Sequence, residues 1–332
     1  MSARETFQDQ GYFLAENLLD PGADLTPVMS DYARILETLL LELQKVGRVD
    51  EGWHRMDFDA RVKFLYHEAG GLYAQNFDIC VPPQAGLPSD IPICLSDAIF
   101  GLLTHNRLLD FVEDLIGPEI RVNPVQHVRI KPPENLLENA SDDGDFHAAL
   151  RVTNKNGLMA QTPWHQDNAV LTEDADETEM ITVWFPLTPA PENMGCLTVV
   201  PGSHKEGLRT HCPGETTDLS VPASLVPVER AVSLPMERGD VLFLHRRMLH
   251  ASLTNSSDRV RFSFDLRYQP DGKPTGRALL PSFLARSHTQ PSEVVRDPEV
   301  WRSCWYAAIQ ALSQAPEVPA SNRWSAEASL CA

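Results

Sequence analysis

Apolar positions recur at helical spacing in "LTPVMSDYARILETLLLELQKVG", where Val28, Tyr32, Ile35, Leu36, Leu39, Leu40 and Leu43 share a face and Gly47 provides a stop. A second run, "SDAIFGLLTHNRLLDFVEDLIGP", starts from Ser96 as an N-cap and stops at Gly117 with Pro118 behind it. Helices are therefore expected to dominate residues 1–118. Beyond Pro118 the period shortens to β-type runs: "IRVNPVQHVRI", "MITVWFPL", "CLTVV", "VLFLH" and "RVRFSFDLRY", separated by Pro, Gly, Asn and Asp clusters. Many short strands with turn signals predict a mainly β protein with flanking helices, built on a sandwich or barrel. Near the end, "SEVVRDPEVWRSCWYAAIQALSQAP" predicts one more helix, and "EVPASNRWSAEASLCA" reads as a loosely held tail.

Between Lys131 and Thr162 the Asn, Asp and Gly content of "PPENLLENASDDGDFHAALRVTNKNG" is that of a long loop, and residues 132–162 are expected to act as a lid. No repeat and no convincing linker interrupts the chain. The expected organisation is one domain over 1–332: a helical region at 1–118, a β core at 119–270 and a C-terminal helical extension at 271–332.

Charge narrows the partners. The 332 residues carry 46 acids against 28 bases, a net charge of -18, which repels nucleic acid and anionic membrane surfaces. No segment approaches the ~20 apolar residues of a membrane span, so a cytoplasmic location and a small-molecule partner are expected, with oligomeric state open. The six cysteines lie far apart with no CxxC spacing, which fits free thiols in a reducing compartment.

Candidate chemistry centres on "TPWHQDNAVL", where His165 and Asp167 lie two apart. Composition alone yields roughly 1.5 His-x-acid pairs, and the chain has two, the other being His204 with Glu206. The pair by itself decides nothing. On a strand, however, side chains two apart share a face, so an imidazole and a carboxylate would point together into a barrel interior. One more imidazole completes a two-histidine, one-carboxylate triad, which suits ferrous iron because three adjacent positions stay open. Candidates stand in "RGDVLFLHRRMLHASLTNSSDRVRFSFDLRY", where Gly239 and Asp240 open a strand expected to carry His245 and His250. These two are an odd number of residues apart, so a regular strand cannot aim both inward.

Four ordered stretches, "TPWHQD", "GCLTVVPGSHKEG", "GDVLFLHRRMLHAS" and "DRVRFSFDLRYQP", resemble the phytanoyl-CoA dioxygenase (PhyH) family of iron(II)- and 2-oxoglutarate-dependent oxygenases. Weaker support comes from "FQDQGYFLAENLLD" and "VRIKPP". The resemblance implies a double-stranded β-helix, a jelly roll of cupin-like type, with Fe(2+), 2-oxoglutarate and O2 as cofactor and cosubstrates. It implies His165, Asp167 and His250 as iron ligands and Arg261, eleven positions after His250, as the anchor for the far carboxylate of 2-oxoglutarate. Ser263 shares the face of Arg261. Lys131, Gln126, Trp184 and Gln166 are expected around the pocket. The implied reaction is oxidation of a C–H bond, hydroxylation by default, with release of succinate and CO2; the carboxylate of Asp167 disfavours halogenation. His245 and His204 are expected outside the metal sphere.

Two other classes stay in view. One is a catalytically inactive jelly-roll ligand-binding protein; the other is a cupin-like metalloenzyme that uses no 2-oxoglutarate and would leave Arg261 and Ser263 without a role. The acidic stretches "ENASDDGD" and "TEDADETE" permit a cationic or zwitterionic substrate.

Overall fold

The computed structural model describes residues 2–68, 72–138, 162–214, 219–320 and 323–331. Its helices are α1 (Ala3–Gln10), α2 (Thr26–Lys45), α3 (Phe58–Glu68), α4 (Asp97–Leu103), α5 (Asn106–Ile116), α6 (Glu134–Glu138) and α7 (Pro298–Gln314). Its strands are β1 (Tyr12–Ala15), β2 (Ile120–Val122), β3 (His127–Lys131), β4 (Ile181–Pro186), β5 (Leu197–Val199), β6 (Cys212–Pro213), β7 (Leu219–Ser220), β8 (Val232–Leu234), β9 (Val241–His245), β10 (His250–Ser252), β11 (Arg261–Pro270) and β12 (Phe283–Arg286).

Among the described residues the larger sheet runs β1-β9-β4-β11-β2-β12, with β3 paired to the first half of β11, and a smaller sheet runs β10-β5-β8. The two face each other as a double-stranded β-helix. β11 shows how sequence places the layers. Its alternate residues Phe262, Phe264, Leu266 and Tyr268 join the main core, where the ring of Tyr32 from α2 lies 6.0 Å from that of Phe262. The intervening Arg261, Ser263, Asp265 and Arg267 face the other way, in register with Lys131, Arg129 and His127 on β3 and with Trp184 and Thr182 on β4. Trp184 packs with Leu197 and Val199 of the smaller sheet, so this polar row lies between the sheets.

Three sequence expectations need correction. The run from Ser96 to Pro118 is two helices: Ser96 does cap the first, but the Thr104 hydroxyl turns back to the Phe100 carbonyl at 2.8 Å and His105 is extended (φ -65°, ψ 123°). Regions read as helical also supply edge strands, β1 against β9 and β12 against β2; runs of four residues are too short to show a period. Finally, the cysteines are not all free. Cys212 and Cys331 form a disulfide across 119 residues, and the tail that bears Cys331 is docked rather than loose. The other four are thiols.

The expected lid lies for the most part outside the described residues, which omit 139–161. No helix among those described is long and apolar enough to cross a membrane.

Candidate metal centre

His165 exchanges both backbone hydrogen bonds with His250, at 2.9 and 3.0 Å. Gln166 continues extended (φ -126°, ψ 133°), and Asp167 then opens a short 3-10 turn, Asp167–Val170. One extended step, in place of the regular strand expected, is enough to put His165 and Asp167 on one side. His250 begins β10, directly opposite.

Each imidazole is oriented by its own backbone. His165 Nδ1–H donates to the Pro163 carbonyl at 2.8 Å and His250 Nδ1–H to the Met248 carbonyl at 2.9 Å, which leaves both Nε2 lone pairs for a metal. The three ligand atoms of His165, Asp167 and His250 lie within 4.8 Å of one another, the single such cluster among the described residues. Burial, and then the neighbouring His250, pushes the His165 imidazole down to about 3, so it stays a neutral donor.

Asp167 is held at both oxygens. Arg267 donates to Oδ1 at 2.6 Å and the Thr182 hydroxyl to Oδ2 at 2.7 Å. Burial opposes its charge, but Arg267 and the two imidazoles outweigh that and hold the carboxyl well below the usual range. Arg267 also pairs with Asp265 at 3.1 Å, and Asp265 in turn with Arg129 at 2.9 Å. The guanidinium nearest the candidate ligands thus has two carboxylate partners, although its Nε, like that of Arg261, has no hydrogen-bond partner.

Arg261 differs. Its guanidinium is 2% exposed, donates to the Gly195 carbonyl and lies 5.4 Å from the Trp184 ring, yet it meets no carboxylate among the described residues. Its Nε and the Ser263 hydroxyl are buried without a hydrogen-bond partner. Burial pushes Arg261 down to about 9. A buried cation with no acidic partner among the described residues, beside an unsatisfied hydroxyl, has the chemistry to accept an anion. Lys131, opposite Arg261 on β3, donates to Ser252 Oγ at 2.6 Å and the Leu253 carbonyl at 2.7 Å; burial, and then Arg261, brings it down to about 6. Gly195 permits this packing: at φ +74° a Cβ would come within 2.6 Å of Lys131 Cδ.

Two expected pocket residues serve the scaffold instead. Gln126 is buried with its amide spent on backbone, donating to the Asn123 and Arg267 carbonyls and accepting from Arg267 N–H. Gln166 donates to the Gly207 and Arg247 carbonyls and accepts from Arg209 N–H, because the extended step that turns its neighbours inward turns it outward. The continuous strand expected to carry His245 and His250 is also absent: β9 ends at His245, and residues 246–249 cross to the smaller sheet. The parity rule thus has no basis here, and location excludes His245. Its Nδ1 accepts from Arg247 N–H at 3.0 Å, beside His204, whose Nε2–H donates to the Gln8 carbonyl.

His165 and Asp167 open onto a chamber of about 500 Å³ walled by Gln75, Pro82, His127, Arg129, Val170 and Leu219, among others. Sequence reasoning missed Arg129, Thr182 and the pairing of Arg267 with Asp167. The alternation of "RFSFDLRY" already set Asp265 and Arg267 on the row of Arg261, which was the available signal.

The Phytanoyl-CoA dioxygenase (PhyH) family profile matches residues 100–263, a span that contains the triad and ends at Ser263. Phytanoyl-CoA dioxygenase domain-containing protein 1 of Rattus norvegicus is 30% identical over 231 residues, covering 67% of this chain and 69% of its own. The chain belongs to the phytanoyl-CoA dioxygenase family. The 1-deoxypentalenic acid 11-beta-hydroxylase of Streptomyces arenae is 36% identical over 131 residues, or 36% of this chain. The match spans about half, 45%, of that relative's length. In fold, this PhyH protein is similar to EvdO2 from Micromonospora carbonacea var. aurantiaca, solved with 2-oxoglutarate: TM-score 0.51 and 18% identity over 84% of this chain and 96% of that one.

Proposed function

We propose that the chain is a non-haem iron(II)- and 2-oxoglutarate-dependent dioxygenase that oxidises, by default hydroxylates, a C–H bond of a small molecule with release of succinate and CO2. One observation carries the reading: a two-histidine, one-carboxylate donor set is tied through Arg267 to the same inter-sheet row of β11 as Arg261, a buried cation that has no acidic partner among the described residues. The donor set fits ferrous iron with three positions to spare, and the unsatisfied Arg261 Nε and Ser263 Oγ fit a carboxylate. A Lewis-acid metalloenzyme without the cosubstrate would leave both unpaired, and an inactive binding protein would need neither. The name of the 1-deoxypentalenic acid 11-beta-hydroxylase relative agrees with hydroxylation of a small organic acid or similar molecule.

In this reading His165, Asp167 and His250 hold the iron, Arg261 and Ser263 hold the far carboxylate of 2-oxoglutarate, and Lys131 adds positive charge beside it. When bound, iron and 2-oxoglutarate supply, with O2, the oxidant that breaks the C–H bond. The protein's own residues prepare that step. Backbone carbonyls at Pro163 and Met248 keep Nε2 of each histidine unprotonated, and Arg267 with Thr182 keeps Asp167 ionised in one orientation. Trp184 lies against the guanidinium of Arg261, and the chamber walls orient substrate and exclude water. We also place the chain in the cytoplasm, acting as one domain over 1–332 in which the helical region 1–118 and the extension 271–332 brace the core 119–270; a main core shared by residues from all three supports this.

The test is anaerobic addition of iron(II) and then 2-oxoglutarate. A weak visible charge-transfer band is expected, followed on admission of oxygen by substrate-dependent succinate in a screen of small metabolites. Absence of the band and of 2-oxoglutarate consumption with iron bound would overturn the proposal.

A further inference from the structure

The backbone that carries the two adjacent metal ligands is held from behind by distant parts of the chain. His211, fully buried, accepts the Gln166 N–H on Nε2 at 2.9 Å while its Nδ1–H donates to the Arg209 carbonyl at 2.9 Å. The Trp324 ring lies 5.1 Å from that of His211, and its indole N–H donates to the Ala169 carbonyl at 2.9 Å. Arg323 donates to the Asn168 carbonyl at 3.1 Å and pairs at 2.7 Å with Asp176, whose same oxygen accepts from the Asn168 amide at 2.7 Å. Asn168 and Ala169 directly follow Asp167. The segment that bears Arg323 and Trp324 ends at Cys331, which is bonded to Cys212, the neighbour of His211. Cys212 lies on β6, and its partner strand β7 brings Leu219 into the chamber wall.

We propose that the C-terminal segment 323–331 is a positioning element for the metal arm and that the Cys212–Cys331 disulfide is its latch, so that opening the disulfide weakens metal binding at His165, Asp167 and His250. The inference rests on the metal reading given under Proposed function. The segment has no regular structure of its own beyond turns. Ordering nine irregular residues costs more conformational entropy than a few hydrogen bonds, one partly exposed ion pair and one ring contact return, so the covalent tie decides whether the segment stays docked. Once it leaves, the Ala169 carbonyl loses its Trp324 donor and the Asn168 carbonyl keeps only the Leu171 N–H, the His211 ring loses its cover, and the backbone between His165 and Asp167 gains freedom. Loose ligands bind metal less tightly because the ordering must then accompany binding.

Opening the latch needs a thiol reductant. A thiolate attacks one sulfur, forms a mixed disulfide and expels the other as thiolate; a second thiol releases the first reductant as its own disulfide. The reductant pair gives up two electrons, and Cys212 and Cys331 each end as a protonated thiol. Both cysteines are partly exposed, so a small thiol can reach them.

The experiment uses the full chain with cobalt(II) as spectroscopic probe, titrated anaerobically in three forms: oxidised, reduced with a phosphine and desalted, and Cys331→Ser. A thiol count by mass spectrometry establishes each state, and far-UV circular dichroism checks the fold. The expected result is a loss of tenfold or more in cobalt affinity for the reduced chain and for Cys331→Ser, with an altered visible d–d spectrum, and recovery of both on reoxidation of the wild-type chain only. Trp324→Phe, which keeps the ring but removes the indole N–H, should lose a smaller factor with the disulfide intact. If Cys331→Ser does not fold, the reduced wild-type chain decides. Unchanged affinity and spectrum in the reduced chain would overturn the latch, as would a thiol count showing that Cys212 and Cys331 do not pair. If instead the oxidised chain binds cobalt no better than its His250→Ala variant, the metal reading itself has failed.

Discussion

Replacing Arg261 with Met should move ligand affinity and fold stability in opposite directions. Without ligand, the guanidinium is a buried cation whose pKa is brought from the ordinary arginine range down to about 9, burial being the main cause. At roughly 1.4 kcal/mol per tenfold, keeping it charged costs on the order of 2 to 5 kcal/mol after relaxation. Because the folded value lies below the unfolded one, that cost is complete at pH 7.5 and fades only as pH rises through about 9 and beyond. Methionine fills similar space without charge, but the hydrogen bond to the Gly195 carbonyl and the contact with Trp184 disappear, which returns roughly 1 to 2 kcal/mol. The net expectation is an apo protein more stable by about 1 to 3 kcal/mol. Affinity for 2-oxoglutarate should fall by roughly 30- to 4000-fold, the 2 to 5 kcal/mol of a buried carboxylate left without its cation. Iron affinity should stay near wild type, since Arg261 touches none of the metal ligands. Anaerobic calorimetry of 2-oxoglutarate into iron-loaded protein and urea unfolding of the apo form measure the two effects. Binding within threefold of wild type would refute the assignment.

Other outcomes follow from the same geometry. His250→Ala should lose cobalt(II) or iron(II) affinity by about 100-fold or more, while His245→Ala keeps it within threefold and loses about 1 to 2 kcal/mol of stability with its Arg247 hydrogen bond; an exchange of those phenotypes in a metal titration would reverse their roles. Arg267→Met leaves Asp167 and Asp265 buried without their shared cation, so urea unfolding should show a loss of about 3 to 5 kcal/mol, and an unchanged midpoint would count against the pairing. Lys131, brought down to about 6 by burial and by Arg261, is mostly neutral at pH 7.5 in the free protein. A dianion beside it should raise that value, so 2-oxoglutarate binding should take up close to one proton at pH 7.5 and none below about pH 5. Calorimetry in buffers of different ionisation enthalpy reads this directly; a buffer-independent heat, or the same uptake in Lys131→Met, would argue against it.

Which parts of the molecule were legible depended on how local their causes are. β11 announces itself because two interleaved rows, one aromatic and one charged, cannot be produced by a helix. The triad was legible through residue type and order even though the supporting reasons were partly wrong: Asp167 stands on a turn, and His245 and His250 belong to different strands. Gln166 was misassigned against the period-two rule, which already pointed it away from its neighbours. Gln126 was misassigned because nothing in its surroundings shows that Asn123 and Arg267 would consume its amide. The Cys212–Cys331 pair was illegible, since 119 residues separate two cysteines without local context. The break after Thr104 comes down to one residue, His105, in extended backbone, an effect below the resolution of hydrophobic spacing.

The two rows of β11 carry a consequence for how this protein can change. Removing or adding a single residue within Arg261–Pro270 would exchange the rows. Two guanidiniums and a carboxylate would then face Tyr32 in the aromatic core, and four apolar side chains would line the space between the sheets. Such an indel destroys stability and chemistry in one event, and no second substitution repairs it. The length and phase of this strand are therefore closed to variation, whether by drift or by a protein engineer. Diversity aimed at new substrates belongs on chamber positions outside the sheets, such as Gln84 and Val170, where a change in size alters the cavity and leaves the strand's phase intact.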